Sequence, residues 1–169
     1  MTFIIKRIKK SFNLYRAFLL NADYDQLMIS NSAKYALKAV IYLASYSSES
    51  KKVLVRDLSH HIQAPEQYLA KVVQELTRRG IISSTRGRNG GLFLKEDNRT
   101  HSLFEVVSAV DGVGDIESCV LGYERCDLNN PCPLHDLLGI QKSQFRKTLE
   151  STKIRDIQGY LDSEEELNF

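Results

Sequence analysis

Residues 55–94 constrain the fold most, because they combine two short amphipathic helices with a hairpin that carries arginines at its tip. The stretch VRDLSHHI at 55–62 predicts the first helix. A second helix follows in PEQYLAKVVQELTRRG, where Pro65 suits the first helical position and Gly80 the residue after the last. Its apolar positions recur at helical spacing and predict one buried stripe of Leu69, Val72, Val73 and Leu76.

The hairpin follows directly in IISSTRGRNGGLFL at 81–94, and we call it the wing. The first strand is expected to begin at Ile81 and the second to cover 92–94, with RGRNGG as the turn between them. A further amphipathic helix precedes the pair from Ser30 onward. Helix, short helix, helix and hairpin is the order of a winged helix-turn-helix. We therefore expect a mostly α fold with a small β-hairpin wing.

This arrangement predicts contact with double-stranded DNA. The second helix of such a pair lies in the major groove, and the wing offers Arg86 and Arg88 to phosphates or to a narrow minor groove. A polar hairpin tip without a partner is the alternative for these arginines. The charge distribution favours contact with DNA over this alternative. Residues 28–100 carry twelve Lys/Arg against six Asp/Glu, whereas residues 101–169 carry six against thirteen. A basic first half is typical of a chain that meets a polyanion.

Sequence signals of membrane, secreted and enzymatic proteins are missing. No apolar run approaches the ~18–20 residues that span a bilayer, so no membrane partner is expected. No secretory signal is visible, and we expect a cytoplasmic protein. A P-loop, a dinucleotide-binding glycine run and a G-x-S-x-G motif are all absent, which argues against an enzyme.

The chain divides into five expected parts. Met28 is the expected natural start, so the preceding residues are interpreted as an upstream extension. Ser102 and Glu105 form a capping box that begins another helix, and Gly112 ends it. The parts are an extension at 1–27, a winged helix-turn-helix domain at 28–100, a linking helix with a cysteine-containing loop at 101–133, a dimerisation helix at 134–155 and an acidic tail at 156–169.

The long C-terminal helix predicted at 134–155 has an apolar seam that needs a covering surface. Leu134, Leu138, Phe145 and Leu149 lie along this seam. The helix can fold back on its own domain or pair with the same helix of a second chain. Pairing is favoured, because a protein that reads two half-sites in the major groove needs a dimer.

All three cysteines lie close together, at Cys119, Cys126 and Cys132, and His135 follows after two intervening residues. Residues 112–133 show no periodicity, and we call this stretch the cysteine segment. An odd number of cysteines without a secretory signal argues against a disulfide scaffold. Three thiolates and an imidazole suit an iron–sulfur cluster or zinc, and bare thiols can instead act as redox sensors.

Several of these runs together resemble one bacterial family. They are NSAKYALKAVIYLA, YLAKVVQELTRRGIISSTRGRNGGLFL, LFEVVSAVDG and the arrangement C…C…CPLH. The family is that of the winged-helix regulators, which includes the iron–sulfur cluster regulator IscR and the nitric-oxide-sensing repressor NsrR. The resemblance covers about residues 28–155, and nothing in the family accounts for residues 1–27. It implies a homodimeric transcriptional regulator, held together by the C-terminal helix, that binds an inverted-repeat operator.

The resemblance also implies an iron–sulfur cluster, expected as a [2Fe–2S] centre. In IscR-like members the fourth ligand is a histidine two residues past the last cysteine, and His135 matches that position. In NsrR-like members it is a carboxylate near the chain start, where this chain has Lys34. The implied ligands are therefore Cys119, Cys126, Cys132 and His135. Six residues separate the first two cysteines, where IscR-like loops have five.

Base contacts in the family come from the first turn of the second helix of the pair and from the wing arginine. By position these residues are Gln67, Tyr68, Lys71 and Arg86. IscR-like members have a glutamate one turn into that helix, through which the cluster tunes the choice of DNA. Ala70 stands at this position, so the resemblance does not imply that kind of tuning.

Overall fold

The computed structural model describes residues 29–112 and 134–161. The expected extension at 1–27, the three cysteines and the last eight residues of the expected tail lie outside these ranges. The elements are α1 (Asn31–Tyr46), α2 (Val55–His61), α3 (Glu66–Arg78), β1 (Ser83–Thr85), β2 (Gly91–Phe93), a 3₁₀ turn (Asn98–Thr100), α4 (Leu103–Asp111), α5 (His135–Ser151) and α6 (Ile154–Leu161). The expected fold class, mostly α with a small hairpin, is confirmed.

Helix α1 lies at the centre of the hydrophobic core. Ser30 caps it, because the Ser30 hydroxyl oxygen accepts a hydrogen bond from the Ala33 amide at 3.1 Å. One face of the helix is buried and consists of Ala33, Ala36, Ala39, Val40, Leu43 and Ala44. The small alanine side chains allow α3, α4 and α6 to pack against α1. Burial of a side chain such as Leu43 stabilises the fold by roughly 1.5–3 kcal/mol.

The helix pair α2 and α3 packs as the apolar pattern predicts. The four residues of the predicted stripe on α3 are buried. Leu58 of α2 is buried as well, and so is Ile62, the residue that follows α2. Pro65 was expected at the first helical position, but it occupies the N-cap position just before the helix. Its ψ angle of 123° is extended and not helical, so Pro65 caps α3 and the helix begins at Glu66.

The wing is shorter than expected and is anchored at its base. Ile81 was expected in the first strand, but its amide donates to the Leu76 carbonyl oxygen at 2.9 Å, so this residue finishes the helical turn and is buried. Strands β1 and β2 pair antiparallel, with Ser84 opposite Leu92. Val53 joins them through an isolated bridge to Leu92, with hydrogen bonds of 2.9 and 2.8 Å. The bridge ties the wing to the segment that leads into α2.

Helix α4 begins and ends where the sequence indicates. The Ser102 hydroxyl accepts from the Glu105 amide at 3.2 Å, and the Glu105 carboxylate accepts from the Ser102 amide at 2.6 Å. This is the predicted capping box. Gly112 follows the last helical residue with a φ angle of +80°, a conformation that favours glycine.

The C-terminal helix differs from the expected single helix at 134–155. Helix α5 ends at Ser151, and a separate helix α6 occupies part of the stretch expected to be an acidic tail. Long-range hydrogen bonds explain the break, because the Leu103 amide donates to the Thr152 carbonyl oxygen and the Ile154 amide donates to the His101 carbonyl oxygen, both at 3.0 Å. Ile154 is fully buried, and α6 packs against α1.

Leu149 also departs from the expectation that it lies between two chains. It is 5% exposed in the single chain and packs with Ala33 of α1 and Val107 of α4. Phe145 is half-buried against the same cluster. The C-terminal half of α5 therefore folds back on its own domain, and Leu149 has almost no surface left to bury against a second copy.

Candidate nucleic-acid interface

The face of α3 opposite its buried stripe is exposed, and we call α3 the recognition helix. Gln67, Tyr68 and Lys71 lie on this face within its first two turns. Their exposure follows from the 3.6-residue period, because the apolar stripe takes the side of the helix that faces the core. The structure thus brings together on one surface three of the residues that the sequence predicts to contact DNA.

Tyr68 is held by the first helix of the domain. Its hydroxyl group is hydrogen-bonded to the Ser32 hydroxyl group. Its ring meets the ring of Tyr35 edge-on, with the centroids 5.7 Å apart and the planes at 69°. The side chain remains 42% exposed despite both contacts. Tyr68 is therefore oriented before any ligand binds, and still has surface available for one.

The tip of the wing presents two exposed arginines. Arg86 and Arg88 flank Gly87, whose φ angle of +102° favours glycine, and the Gly90 amide closes the turn on the Gly87 carbonyl oxygen at 2.9 Å. A Cβ atom at Gly90 would lie 2.4 Å from the Thr85 carbonyl oxygen, so the tip needs glycine there. Neither arginine forms an ion pair with another residue of the described ranges.

At the end of the recognition helix, two arginines share one carboxylate. The Glu75 carboxylate accepts hydrogen bonds from Arg78 at 2.9 and 2.7 Å and from Arg79 at 2.7 Å. The hydrogen bonds from Arg78, and then those from Arg79, lower the pKa of Glu75 to about 2. Arg78 and Arg79 therefore have an acidic partner, whereas Arg86 and Arg88 at the wing tip have none among the described residues.

Asn98 is a positioning residue that sequence reasoning missed. It is 6% exposed, and its side-chain carbonyl oxygen accepts from the Ser83 hydroxyl at 2.8 Å and from the Lys95 amide at 2.7 Å. Its side-chain amide donates to the Gly80 carbonyl oxygen. The only sequence signal was an asparagine in the polar run KEDN after the second strand, which is common in turns.

The predicted metal ligands are placed only in part. Cys119, Cys126 and Cys132 lie outside the described residues, and His135 is the first residue of α5. Within residues 29–112 and 134–161, no three His, Cys, Asp or Glu side chains gather in a way that could hold a metal ion.

His60 and His61 are exposed on α2. The ring of His61 stacks on Tyr42, with the centroids 4.9 Å apart and the planes at 23°. This contact gives His61 a packing role. Among the described helices, none is long and apolar enough to cross a membrane.

Comparison with known proteins identifies a family. The Rrf2 family model, described as an iron-dependent transcriptional regulator, matches residues 29–159. The HTH-type transcriptional regulator NsrR of Bacillus licheniformis is 26% identical over 132 residues, which cover 78% of this chain and 92% of that protein.

Two solved structures share the fold. CymR, the global cysteine regulator of B. subtilis, superposes with a TM-score of 0.62 at 24% identity, over 79% of this chain and 98% of CymR. IscR of T. potens superposes with a TM-score of 0.62 at 17% identity, over 84% of this chain and 94% of IscR. At these identities the superpositions establish the fold alone.

Proposed function

The chain belongs to the Rrf2 family of DNA-binding transcriptional regulators, and on that premise we propose that it binds an inverted-repeat operator as a homodimer and senses a signal through its cysteine segment. The observation that carries the DNA-binding part is the shared exposure of the recognition helix and the wing tip. The recognition helix supplies polar side chains to base edges, and the wing tip supplies positive charge to the phosphate backbone of DNA.

The recognition helix supplies the proposed base contacts. Gln67, Tyr68 and Lys71 are exposed at its beginning, the part of such a helix that enters the major groove. An amide, a phenol and an ammonium group offer both donors and acceptors, which is what discrimination between base pairs in that groove requires. The wing residues Arg86 and Arg88 are proposed to bind phosphates or a narrow minor groove.

Helix α5 supplies the proposed dimer contact through its N-terminal half. Ile140 is 61% exposed, more than the other large apolar side chains that are exposed in the described part of the chain. Leu134 and Leu138 keep part of their surface exposed as well. A second copy of α5 would cover these side chains, while Phe145 and Leu149 pack on their own protomer. The two-fold axis would then place two recognition helices against two half-sites.

The proposed sensor is an iron–sulfur cluster held by Cys119, Cys126, Cys132 and His135, most simply as a [2Fe–2S] centre. The donor set fits, because thiolates are the usual ligands of such clusters and an imidazole can replace a thiolate. When bound, the group would supply redox- and ligand-sensitive chemistry to the segment between α4 and α5. His135 opens α5, so a bond at this residue would connect that segment to the helix proposed to form the dimer.

A second candidate is a sensor that uses the same thiols without a cluster. The matching family is described as iron-dependent, whereas CymR, which shares the fold, is a global cysteine regulator. Oxidation of an accessible thiolate changes its charge and bonding, and this can alter the conformation of a segment without any metal. Zinc on the same four residues is a third possibility.

Duplex selection tests the DNA-binding proposal. The unmodified protein is incubated with a pool of randomised duplexes, and the retained duplexes are sequenced. We expect an inverted repeat with half-sites about one helical turn apart. Retained duplexes without a common sequence would refute sequence-specific recognition.

Metal and sulfide analysis tests the sensor. Protein purified without oxygen is assayed for iron, acid-labile sulfide, zinc and visible absorption, beside Cys126→Ala and His135→Ala variants. We expect iron and sulfide in the parent, a weakened cluster in His135→Ala and almost none in Cys126→Ala. Stoichiometric zinc without sulfide would support a structural site. Metal-free protein whose DNA affinity changes with thiol oxidation would support the cluster-free sensor.

A further inference from the structure

The contact between the recognition helix and α1 involves three side chains. Tyr68 shares a hydrogen bond with Ser32 and an edge-on aromatic contact with Tyr35. Ser32 and Tyr35 lie one turn apart on α1, so both meet Tyr68 from the same helix face. We call this group the tyrosine clamp. It fixes both the ring and the hydroxyl group of a residue at the beginning of the recognition helix.

The hydroxyl pair does not use up the hydrogen-bonding capacity of Tyr68. A phenol or serine hydroxyl has one donor and two acceptor positions, and the bond between them consumes one donor and one acceptor. The exposed part of Tyr68 can therefore still contact a base edge or a phosphate. Its hydroxyl group would do so from a fixed position, which reduces the entropy lost when the DNA contact forms.

The first turn of α1, which carries Ser32, is itself held from the other side. The Asp111 carboxylate accepts from the Ser30 amide at 3.1 Å and from the Ser30 hydroxyl, while the Ser30 hydroxyl oxygen caps the helix. Asp111 is the last residue of α4, and Ala33 next to Ser32 is fully buried. Ser32 is thus attached to a turn that is anchored by a charged hydrogen bond and by the core.

We propose that Ser32 is a positioning residue for sequence recognition: it orients the Tyr68 hydroxyl group so that the recognition helix discriminates between operator and other DNA. The inference rests on the proposed function, since it assigns a source of specificity within the same interface. Ser32 itself need not touch DNA. Tyr35 supports the ring, and Asp111 through Ser30 fixes the turn from which Ser32 acts.

The test compares affinity for two duplexes at one salt concentration. The first duplex is that selected by the unmodified protein from the randomised pool, and the second has the same bases in scrambled order. The readout is the dissociation constant for the scrambled duplex divided by that for the selected duplex, both measured by fluorescence anisotropy. Ser32→Ala should lower this ratio by roughly 3- to 10-fold, the equivalent of one net hydrogen bond. Affinity for the scrambled duplex should stay at the parent value, because the phosphate contacts are unchanged.

Three further variants and one control separate positioning from other roles. Ser32→Thr keeps the hydroxyl group and should retain the parent ratio. Tyr68→Phe should lower the ratio, and Ser32→Ala combined with Tyr68→Phe should lower it no further, because both changes remove one interaction. Ser45→Ala is the matched control, since Ser45 lies exposed on the same helix and its hydroxyl donates within that helix, to the Ile41 carbonyl oxygen at 3.3 Å.

An unchanged ratio in Ser32→Ala, or additive losses in the double variant, would overturn the assignment while leaving DNA recognition intact. A parent protein that selects no common sequence from the pool would instead refute the proposed function, and the assignment with it.

Discussion

The Asn98 side-chain amide donates a hydrogen bond to the Gly80 carbonyl oxygen at 2.6 Å, across a sequence separation of 18 residues. Gly80 follows the recognition helix and Asn98 follows the wing, so this one bond links the two elements proposed to contact DNA. It acts together with the Val53–Leu92 bridge to hold the wing at its base.

Asn98→Ala should therefore lower the free energy of unfolding by about 2–4 kcal/mol, because it leaves the Gly80 carbonyl and the Lys95 amide without a partner in a part-buried site. Chemical denaturation monitored by circular dichroism measures this change. Asn89→Ala is the control, since Asn89 is exposed at the wing tip and its loss should change stability by less than about 0.5 kcal/mol. Equal stability of the two variants would contradict the role given to Asn98.

Arg86→Ala should weaken binding to the selected duplex and to its scrambled form by similar factors, if the wing binds phosphates. The slope of log affinity against log salt should fall in magnitude by about 1. Arg155→Ala is the control, because it removes an exposed arginine of α6, beside Asp156. It should leave both the affinities and the salt slope unchanged. A loss confined to the selected duplex would show instead that Arg86 reads bases.

Ile140→Asp should separate the proposed dimer without unfolding the protomer, because Ile140 is exposed in the single chain and would place a charge in the contact between two α5 helices. Light scattering gives the mass, and circular dichroism checks that the helix content is kept. Ser45→Asp adds the same charge to an exposed site on α1 and should keep the parent mass. A parent protein that is already monomeric would refute the proposed contact.

Glu105→Gln should flatten the dependence of stability on pH. Burial alone would raise the pKa of Glu105, but hydrogen bonds from the Ser102 amide, the His101 ring and the Ser102 hydroxyl lower it to about 2 from 4.5. A depressed pKa in the folded state stabilises the protein above pH 4.5, and this contribution is lost as the pH falls toward 2. Because the side chain is 49% exposed, solvent screening limits the contribution to about 1 kcal/mol.

The measurement is the free energy of unfolding of parent and variant at pH 7 and at pH 2. The difference between the two proteins should be present at pH 7 and disappear at pH 2. Glu96→Gln is the control, because the Glu96 side chain is 96% exposed and lies 3.8 Å from Arg99. A difference that persists unchanged at pH 2 would show that the Glu105 charge is not its source.

Features set by neighbouring residues could be predicted from the sequence. The buried stripe of the recognition helix, the capping box of Ser102 with Glu105, and the end of α4 at Gly112 all follow from local periodicity and capping chemistry. The exposure of Gln67, Tyr68 and Lys71 follows from the same periodicity. The cysteine ligands stay a prediction, since they lie outside the described residues.

Features set by distant residues could not be predicted. Helix α5 ends at Ser151 because His101 and Leu103 bond to the chain just beyond it, and the local sequence contains no proline or glycine to signal that break. The burial of Leu149 within its own protomer depends on the packing of α1 and α4, and an apolar seam looks the same whichever surface covers it.

The bridge between Val53 and Leu92 bears on how the chain folds. A two-stranded hairpin is marginal by itself in water, and β1 and β2 have three residues each. Val53 supplies two further backbone hydrogen bonds, but it can do so only when the segment before α2 is in place. We therefore expect the wing to form late, after the helices have docked. A newly made chain would then have a folded helical core before it can bind DNA.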